Sequence, residues 1–237
     1  MPHPFQFGVE QLGKVNLNLA VFSKYELGAI RRVPLPPIRS DNFIRRCFNL
    51  KRAVQCITLP TSDSSPDVQI LHTHLSAFSG GDGTVQQQVE VLLSLIINSG
   101  PRWLLAGDFN ALPPGVAAHE LSDAAVLEHG EERVSGVAPL FELYDSVLPL
   151  EELQDKRKRK KWFTHKPYEL EKADRTIDYI FLSRNAFEVA KAKVVRDDTW
   201  PSDHAPVVAT LSCSSTVGGG GGGSSARRRS KSPAKRD

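Results

Sequence analysis

Three short acidic clusters in the second half of the chain hold the side chains that cation-assisted activation of water requires. They are Gly107-Asp108-Phe109-Asn110, Thr176-Ile177-Asp178-Tyr179-Ile180-Phe181 and Ser202-Asp203-His204-Ala205-Pro206. A further polar run, His72-Thr73-His74-Leu75, lies upstream. Carboxylate and amide oxygens are hard donors that suit a divalent cation, and such a cation can activate a water. An imidazole beside them can move a proton or stabilise a developing negative charge. An aspartate after an apolar run can also be a mere turn former or helix N-cap. Asp108 is assigned to chemistry because of its company.

These groups need elements to hold them. Trp103-Leu104-Leu105-Ala106 precedes the first cluster, Tyr179-Ile180-Phe181-Leu182 follows the middle aspartate, and Val207-Val208-Ala209-Thr210-Leu211 follows the last. Val68-Gln69-Ile70-Leu71 leads into the histidine pair. Polar groups at strand ends can converge on one mouth of a sheet. Strand-like runs lie near 18–23, 52–58, 67–75, 102–107, 176–183 and 206–211. Val85, Val89, Leu92, Leu93 and Ile96 recur at helical spacing between Thr84 and Asn98, and Gly100-Pro101 stops that helix. Gly115 to His129 and Pro139 to Val147 are further helix candidates, whereas Arg31 to Asn42, with three prolines, reads as a loop. No internal repeat is present.

At 237 residues, 40% hydrophobic and 24% charged, the chain can bury one sizeable core. Residues 1–213 are expected to form a single domain. From Ser214 onward a six-glycine run and a basic Arg/Ser/Lys/Pro tail offer too little apolar surface to fold, so 214–237 are expected to be disordered. Three cysteines without CxxC spacing support neither a zinc knuckle nor a disulfide framework. No apolar run approaches the length of a transmembrane helix, and the N-terminus lacks the pattern of a signal peptide. An intracellular monomer, nuclear or cytoplasmic, is the expectation.

The formal charge of +3 is unevenly spread. Lys156, Arg157, Lys158, Arg159, Lys160 and Lys161 form one block, directly followed by Trp162, and the tail carries a second. Basic side chains beside an aromatic suit a polyanion such as nucleic acid, through phosphate contacts and stacking. A solvated loop or a nuclear-localisation-like patch is the alternative for the first block.

In this order, the clusters resemble the endonuclease/exonuclease/phosphatase superfamily of DNase-like, Mg-dependent phosphodiesterases. The resemblance runs from about Leu19 to about Leu211. It implies an α/β fold, a four-layer sandwich of two mixed β-sheets flanked by helices. By resemblance, Asp108 orients or deprotonates the attacking water and Asn110 hydrogen-bonds the phosphate. His204 sits against the scissile phosphate with Asp178 on its other ring nitrogen, and His74 donates to a phosphate oxygen or to the leaving group. Asp108, Asn110, Asp203 and His204 are the expected metal shell, for Mg2+ with Mn2+ as a substitute. Among the other histidines, His72 shares a strand face with His74 but lies outside the Thr-His-Leu pattern. His3, His119, His129 and His165 are expected to be solvated.

The N-terminus departs from the family pattern. The family's first strand carries an Asn, and a following Gln-Glu pair supplies the main metal ligand. Here the later Gly-x-Ala-Ile-Leu-Ser-Arg-type strand appears as Asn18-Leu19-Ala20-Val21-Phe22-Ser23-Lys24-Tyr25. Glu10 follows Val9 and stands too close to that strand to be the missing ligand; Asn16 and Asn18 cannot replace the first Asn. The first strand therefore reads as missing, through truncation of a longer enzyme or through degeneration, with truncation favoured because the downstream set is complete. The expected activity is phosphodiester hydrolysis, most simply that of a nuclease. The alternatives are a phosphatase or phospholipase-type esterase acting on inositol phosphates or sphingomyelin, or a catalytically dead nucleic-acid-binding relative.

Overall fold

A computed structural model describes residues 19–42, 50–61, 65–77, 81–130, 134–167, 170–196 and 202–213. Eight strands are assigned among them: β1 Ile30–Pro34, β2 Ala53–Leu59, β3 Val68–His74, β4 Trp103–Asp108, β5 Asp145–Ser146, β6 Asp178–Leu182, β7 Phe187–Val194 and β8 Val207–Cys213. The helices among the described residues are α1 Thr84–Ile97, α2 Asp123–His129, α3 Ala138–Leu143 and α4 Leu150–Gln154, with 3-10 turns at Ala118–Glu120 and Arg159–Trp162.

The first six strands form one mixed sheet in the order β1-β2-β3-β4-β6-β5, and β7 and β8 pair antiparallel as a second. β3 and β4 are the parallel pair, joined through α1. The expected α/β arrangement of two sheets flanked by helices is thus present. One face of the large sheet is dry. Val54, Leu71, Leu105, Phe109, Tyr179 and Phe181 share a core with Val85, Val89, Leu92 and Ile96 of α1 and Leu140 of α3. The opposite face carries His74, Asp108 and Asp178, since adjacent residues on a strand point to opposite faces.

Two local devices fix the mouth of the sheet. Buried Gln88 of α1 accepts from Ser76 N at 2.9 Å and donates to Pro36 O at 2.7 Å, tying the end of β3 to the helix. Gly107 lies against Thr73 of β3, with φ 152°. A Cβ there would stand 1.9 Å from Thr73 O, so only glycine lets the two strands meet beside Asp108.

Several elements differ from the sequence expectations. Residues 19–23 join no ladder; the first strand among the described residues is β1, which starts at Ile30 and runs into the 31–42 segment expected to be a loop. Pro34 is accommodated because β1 is an edge strand at the end of the sheet. The run 115–129 is a 3-10 turn and a short helix rather than one helix, split where Ser122 Oγ caps Ala125 N at 3.0 Å. The third helix ends at Leu143, and β7 lies outside every strand-like run of the sequence. Its exposed glutamate and lysines conceal a strand whose pairing comes from β8. The tail from Ser214, together with His3, Glu10, Asn16 and Asn18, lies outside the described residues.

Candidate active site

Asp108 ends β4 and Asp178 begins β6, and the two residues are register partners across the ladder. The turn after β4 folds back on Asp108. Asn110, in the left-handed region at φ 48°, donates its backbone N–H to Asp108 Oδ1 at 2.8 Å. Its side-chain amide donates to Leu75 O at 3.0 Å and to Asp108 Oδ2 at 3.2 Å. Asparagine tolerates this backbone because its short amide bonds locally.

His74, at the end of β3, places Nε2 3.1 Å from Asp108 Oδ2. His204 places Nε2 3.9 Å from the same oxygen and Nδ1 2.9 Å from Asp178 Oδ2. One carboxylate oxygen therefore faces two imidazoles, and a second carboxylate holds the far side of one of them.

Electrostatics follow from this arrangement. Burial opposes the charge of Asp108, but the hydrogen bond and charge of His74, with His204 and the Asn110 N–H, hold it below the usual carboxylate range. Burial, reinforced by the charge of Asp108, pushes Asp178 up despite its bond from His204. For His204 burial also opposes the charge; the Asp178 hydrogen bond and the charges of Asp178, Asp108 and Asp203 outweigh it and push the imidazole up to about 9. The site thus favours an Asp108 carboxylate facing a His204 imidazolium.

The middle cluster is held by two groups that the sequence did not single out. Tyr179 is fully buried, and its hydroxyl lies 2.9 Å from Ala111 O and 2.8 Å from Thr176 O. It connects the turn after Asp108 to the start of β6, so the Asp-Tyr step aims one side chain into the cleft and anchors the other in the core. Buried Thr164 offers its hydroxyl oxygen to the N–H groups of Ile177 at 3.2 Å and Asp178 at 3.3 Å. Its carbonyl accepts from Ala205 N at 2.6 Å. One threonine thus holds the segments bearing Asp178 and His204.

Asp203 sits at the mouth with 35% of its side chain exposed. Asp108, Asp203 and the Asn110 amide are hard oxygen donors of the kind one divalent cation takes. Asp203 retains accessible lone pairs, whereas Asp108 Oδ2 already faces Asn110 and His74. Oxygen donors of this type are those a Mg2+ or Mn2+ ion takes, but among the described residues the imidazoles and carboxylates that gather within 4.8 Å of one another are His165, Asp203 and His204, without Asp108.

A family model, the Endonuclease/Exonuclease/phosphatase family, matches residues 7–204. The chain belongs to this family. No curated protein matches it significantly. Among solved structures, it is similar to ANGEL2, a 2′,3′-cyclic phosphatase, in complex with adenosine-2′,3′-vanadate. Identity is 15%, covering 80% of this chain and 68% of that one, with TM-score 0.52. It is similar to an endonuclease/exonuclease/phosphatase from Bacteroides vulgatus at 14% identity, covering 80% and 67%, with TM-score 0.50. For the human Nocturnin catalytic domain the figures are 19%, 80% of this chain, 60% of that one and 0.49. The chain therefore spans about three fifths of the Nocturnin domain's length. At these identities the likeness establishes the fold alone.

Within this endonuclease/exonuclease/phosphatase fold, two of the histidines expected to be solvated have largely covered side chains, and one of them, His165, is a buried residue. His129 closes α2 with only 8% of its side chain exposed, and His165 stands beside His204 with ring centroids 4.7 Å apart. Both lie against charged groups contributed by distant segments, which spacing cannot reveal. His119 is exposed, as expected. Buried Arg175 is a further unforeseen element: it grips Asp174 through two hydrogen bonds, 2.7 and 2.9 Å, and also pairs with Glu128. Arg52 is another. Burial pushes its guanidinium down against the pull of Asp108, and its Nη1 is buried without a partner among the described residues.

The basic block needs correction. Arg159 is 4% exposed and donates to Glu120 Oε2 through both terminal nitrogens at 3.2 Å. Trp162 is 7% exposed, donates its indole N–H to Glu152 at 2.6 Å and is covered by Lys161, whose Nζ lies 4.9 Å from the ring centroid. Neither can stack on a base or reach a phosphate from these positions. Lys156 and Lys161 are exposed but paired with Glu120 and Glu152. Arg157, Lys158 and Lys160 remain exposed.

Proposed function

We propose that this chain hydrolyses phosphodiesters with a divalent cation, Mg2+ in the first instance, and that nucleic acid is the substrate class. The observation that carries the reading is the placement of His204 between Asp178 at 2.9 Å and Asp108 at 3.9 Å. A bound cation would supply Lewis-acid stabilisation of the phosphate oxygens, held by Asp108, Asn110 and Asp203. Asp108, kept anionic, orients the attacking water. Asp178 fixes the His204 tautomer and supports its charge, so that Nε2–H can donate to an oxygen gaining negative charge. His74 steadies Asp108 on its other side and can pass a donor to the phosphate when that bond opens. Exposed Arg157, Lys158 and Lys160, with Lys156 and Lys161, would contribute non-specific phosphate contacts.

The test is cleavage of single-stranded DNA and RNA, bis-para-nitrophenyl phosphate and an inositol phosphate at millimolar Mg2+ and Mn2+. Metal-dependent cleavage of an oligonucleotide, reduced by about 10²-fold or more in His204→Ala and Asp108→Ala, is the expected result. Equal rates in the variants would remove the assignment. Oligonucleotide binding without any turnover would favour the inert nucleic-acid-binding reading, which the exposed cations support.

A further inference from the structure

His165 takes no part in the hydrolytic reading, yet its surroundings are those of a ligand. Its side chain is 9% exposed, and Nδ1 is buried without a hydrogen-bond partner among the described residues. Nε2 stands 3.8 Å from Asp203 Oδ2, too far for a hydrogen bond. Among the described residues this buried imidazole therefore has an unpartnered Nδ1 and only a loose approach from Asp203 at Nε2, and native structures seldom leave such groups without a use.

Two more donors stand beside it. One ring nitrogen each from His165 and His204 and one carboxylate oxygen of Asp203 all lie within 4.8 Å of one another. The backbone fixes this grouping. Residues 164–166 and 203–205 run as zipped segments: Ala205 N donates to Thr164 O at 2.6 Å, Lys166 N donates to Asp203 O at 2.7 Å, and His165 bridges His204. On its other side the His165 backbone N–H donates to Arg175 O at 3.0 Å and its carbonyl accepts from Asp174 N at 3.1 Å. The three ligands thus come from two short segments that cannot drift apart without breaking backbone hydrogen bonds.

The donor chemistry selects the ion. Two imidazoles and one carboxylate suit borderline metals such as Zn2+ and Co2+, whereas Mg2+ prefers all-oxygen shells. Ligand bonds of about 2.1 Å in tetrahedral geometry separate donors by about 3.4 Å, so the side chains need close by little more than about 1 Å. Asp178, holding His204 Nδ1, supplies the carboxylate–histidine arrangement that orients a metal-binding imidazole, leaving Nε2 for the ion.

We infer that His165, Asp203 and His204 form a transition-metal site, for Zn2+ or Co2+, with a fourth position open to water or phosphate. An ion there occupies His204 and Asp203, so it opposes the proposed hydrolysis rather than serving it. The site makes the chain zinc-sensitive, with His165 as the residue that confers the sensitivity.

Calorimetric titration of the full 237-residue chain with Zn2+ alone, in millimolar Mg2+, tests this, together with the visible spectrum of the Co2+ form. One ion per chain is expected, at micromolar affinity or tighter, with the intense visible bands of four-coordinate Co2+. His165→Phe should weaken Zn2+ by at least about tenfold and abolish those bands, whereas His72→Ala should leave both unchanged. Should His165→Phe fail to fold by circular dichroism, Asp203→Asn on the half-exposed segment must show the same loss. Unchanged Zn2+ affinity in the folded His165→Phe or Asp203→Asn chain overturns the site, as does absence of binding to the wild type. The readout needs no hydrolysis, so an inert chain would overturn the proposed function and leave this inference standing.

Discussion

Asp178 and His204 are 26 residues apart in sequence and joined in space by a 2.9 Å hydrogen bond from imidazole Nδ1 to carboxylate Oδ2. The pair holds because Thr164 binds both flanking segments, through its hydroxyl to the backbone at Asp178 and through its carbonyl to Ala205. Charge on His204 therefore depends on a partner whose position is set by a third, neutral side chain.

Asp178→Asn tests that dependence directly. The amide keeps the shape but removes the charge that supports the imidazolium, so the His204 pKa should fall from about 9 toward the ordinary value. Nuclear magnetic resonance titration of the histidine ring reads this without any turnover. Where cleavage is measurable, it should drop by about 10²-fold or more. An unmoved His204 titration would refute the pairing.

Tyr179→Phe should cost about 1–2 kcal/mol in denaturant unfolding, because the single O–H proton lies between two buried carbonyls and its loss removes the donor they share. The same change loosens the link between the turn after Asp108 and the start of β6. Stability equal to the wild type would mean that water or a shifted backbone replaces the hydroxyl.

Gly107→Ala is predicted to be among the most damaging substitutions in the sheet. Its methyl would stand 1.9 Å from Thr73 O, so β3 and β4 must part or the backbone must refold next to Asp108. A loss of at least about 3 kcal/mol follows, with weaker amide protection in both strands by hydrogen exchange. A loss under about 1 kcal/mol, within the ordinary range for a point substitution, would show that this approach is not as tight as described.

His129 should make the fold sensitive to mild acid. Burial, with the charges of Arg175 and His165, lowers its pKa to about 4. Between that value and the unfolded value near 6.5, the unfolded chain binds the extra proton, so stability rises with pH across this window and is lost as pH falls through it. The full contribution is about 3 kcal/mol. Comparing unfolding of the wild type and His129→Leu from pH 4 to 7 isolates it: the variant should show a flatter slope, and parallel slopes would contradict the assignment.

Much of the site was legible in the sequence because its chemistry is local. Asp108, Asn110, Asp178, Asp203, His204 and His74 stand in short motifs at the ends of apolar runs, and it is the order of those motifs that carries the family resemblance. The strands bearing Asp108 and Asp178 and the helix 84–97 were equally readable, since their apolar residues recur at the spacing of the buried face.

The tertiary structure decided which polar residues are partners. Thr164, His165 and Arg175 lie in a segment with no apolar pattern, and they are buried because segments around residues 120–130 and 203–205 close over them. The same holds for the basic block: Arg159 and Trp162 look like contacts for a polyanion until Glu120 and Glu152, 39 and 10 residues away in sequence, turn them into internal struts. Burying a charge or an indole N–H requires a compensating partner. The sequence shows the groups that need such partners; only the fold brings particular partners within reach.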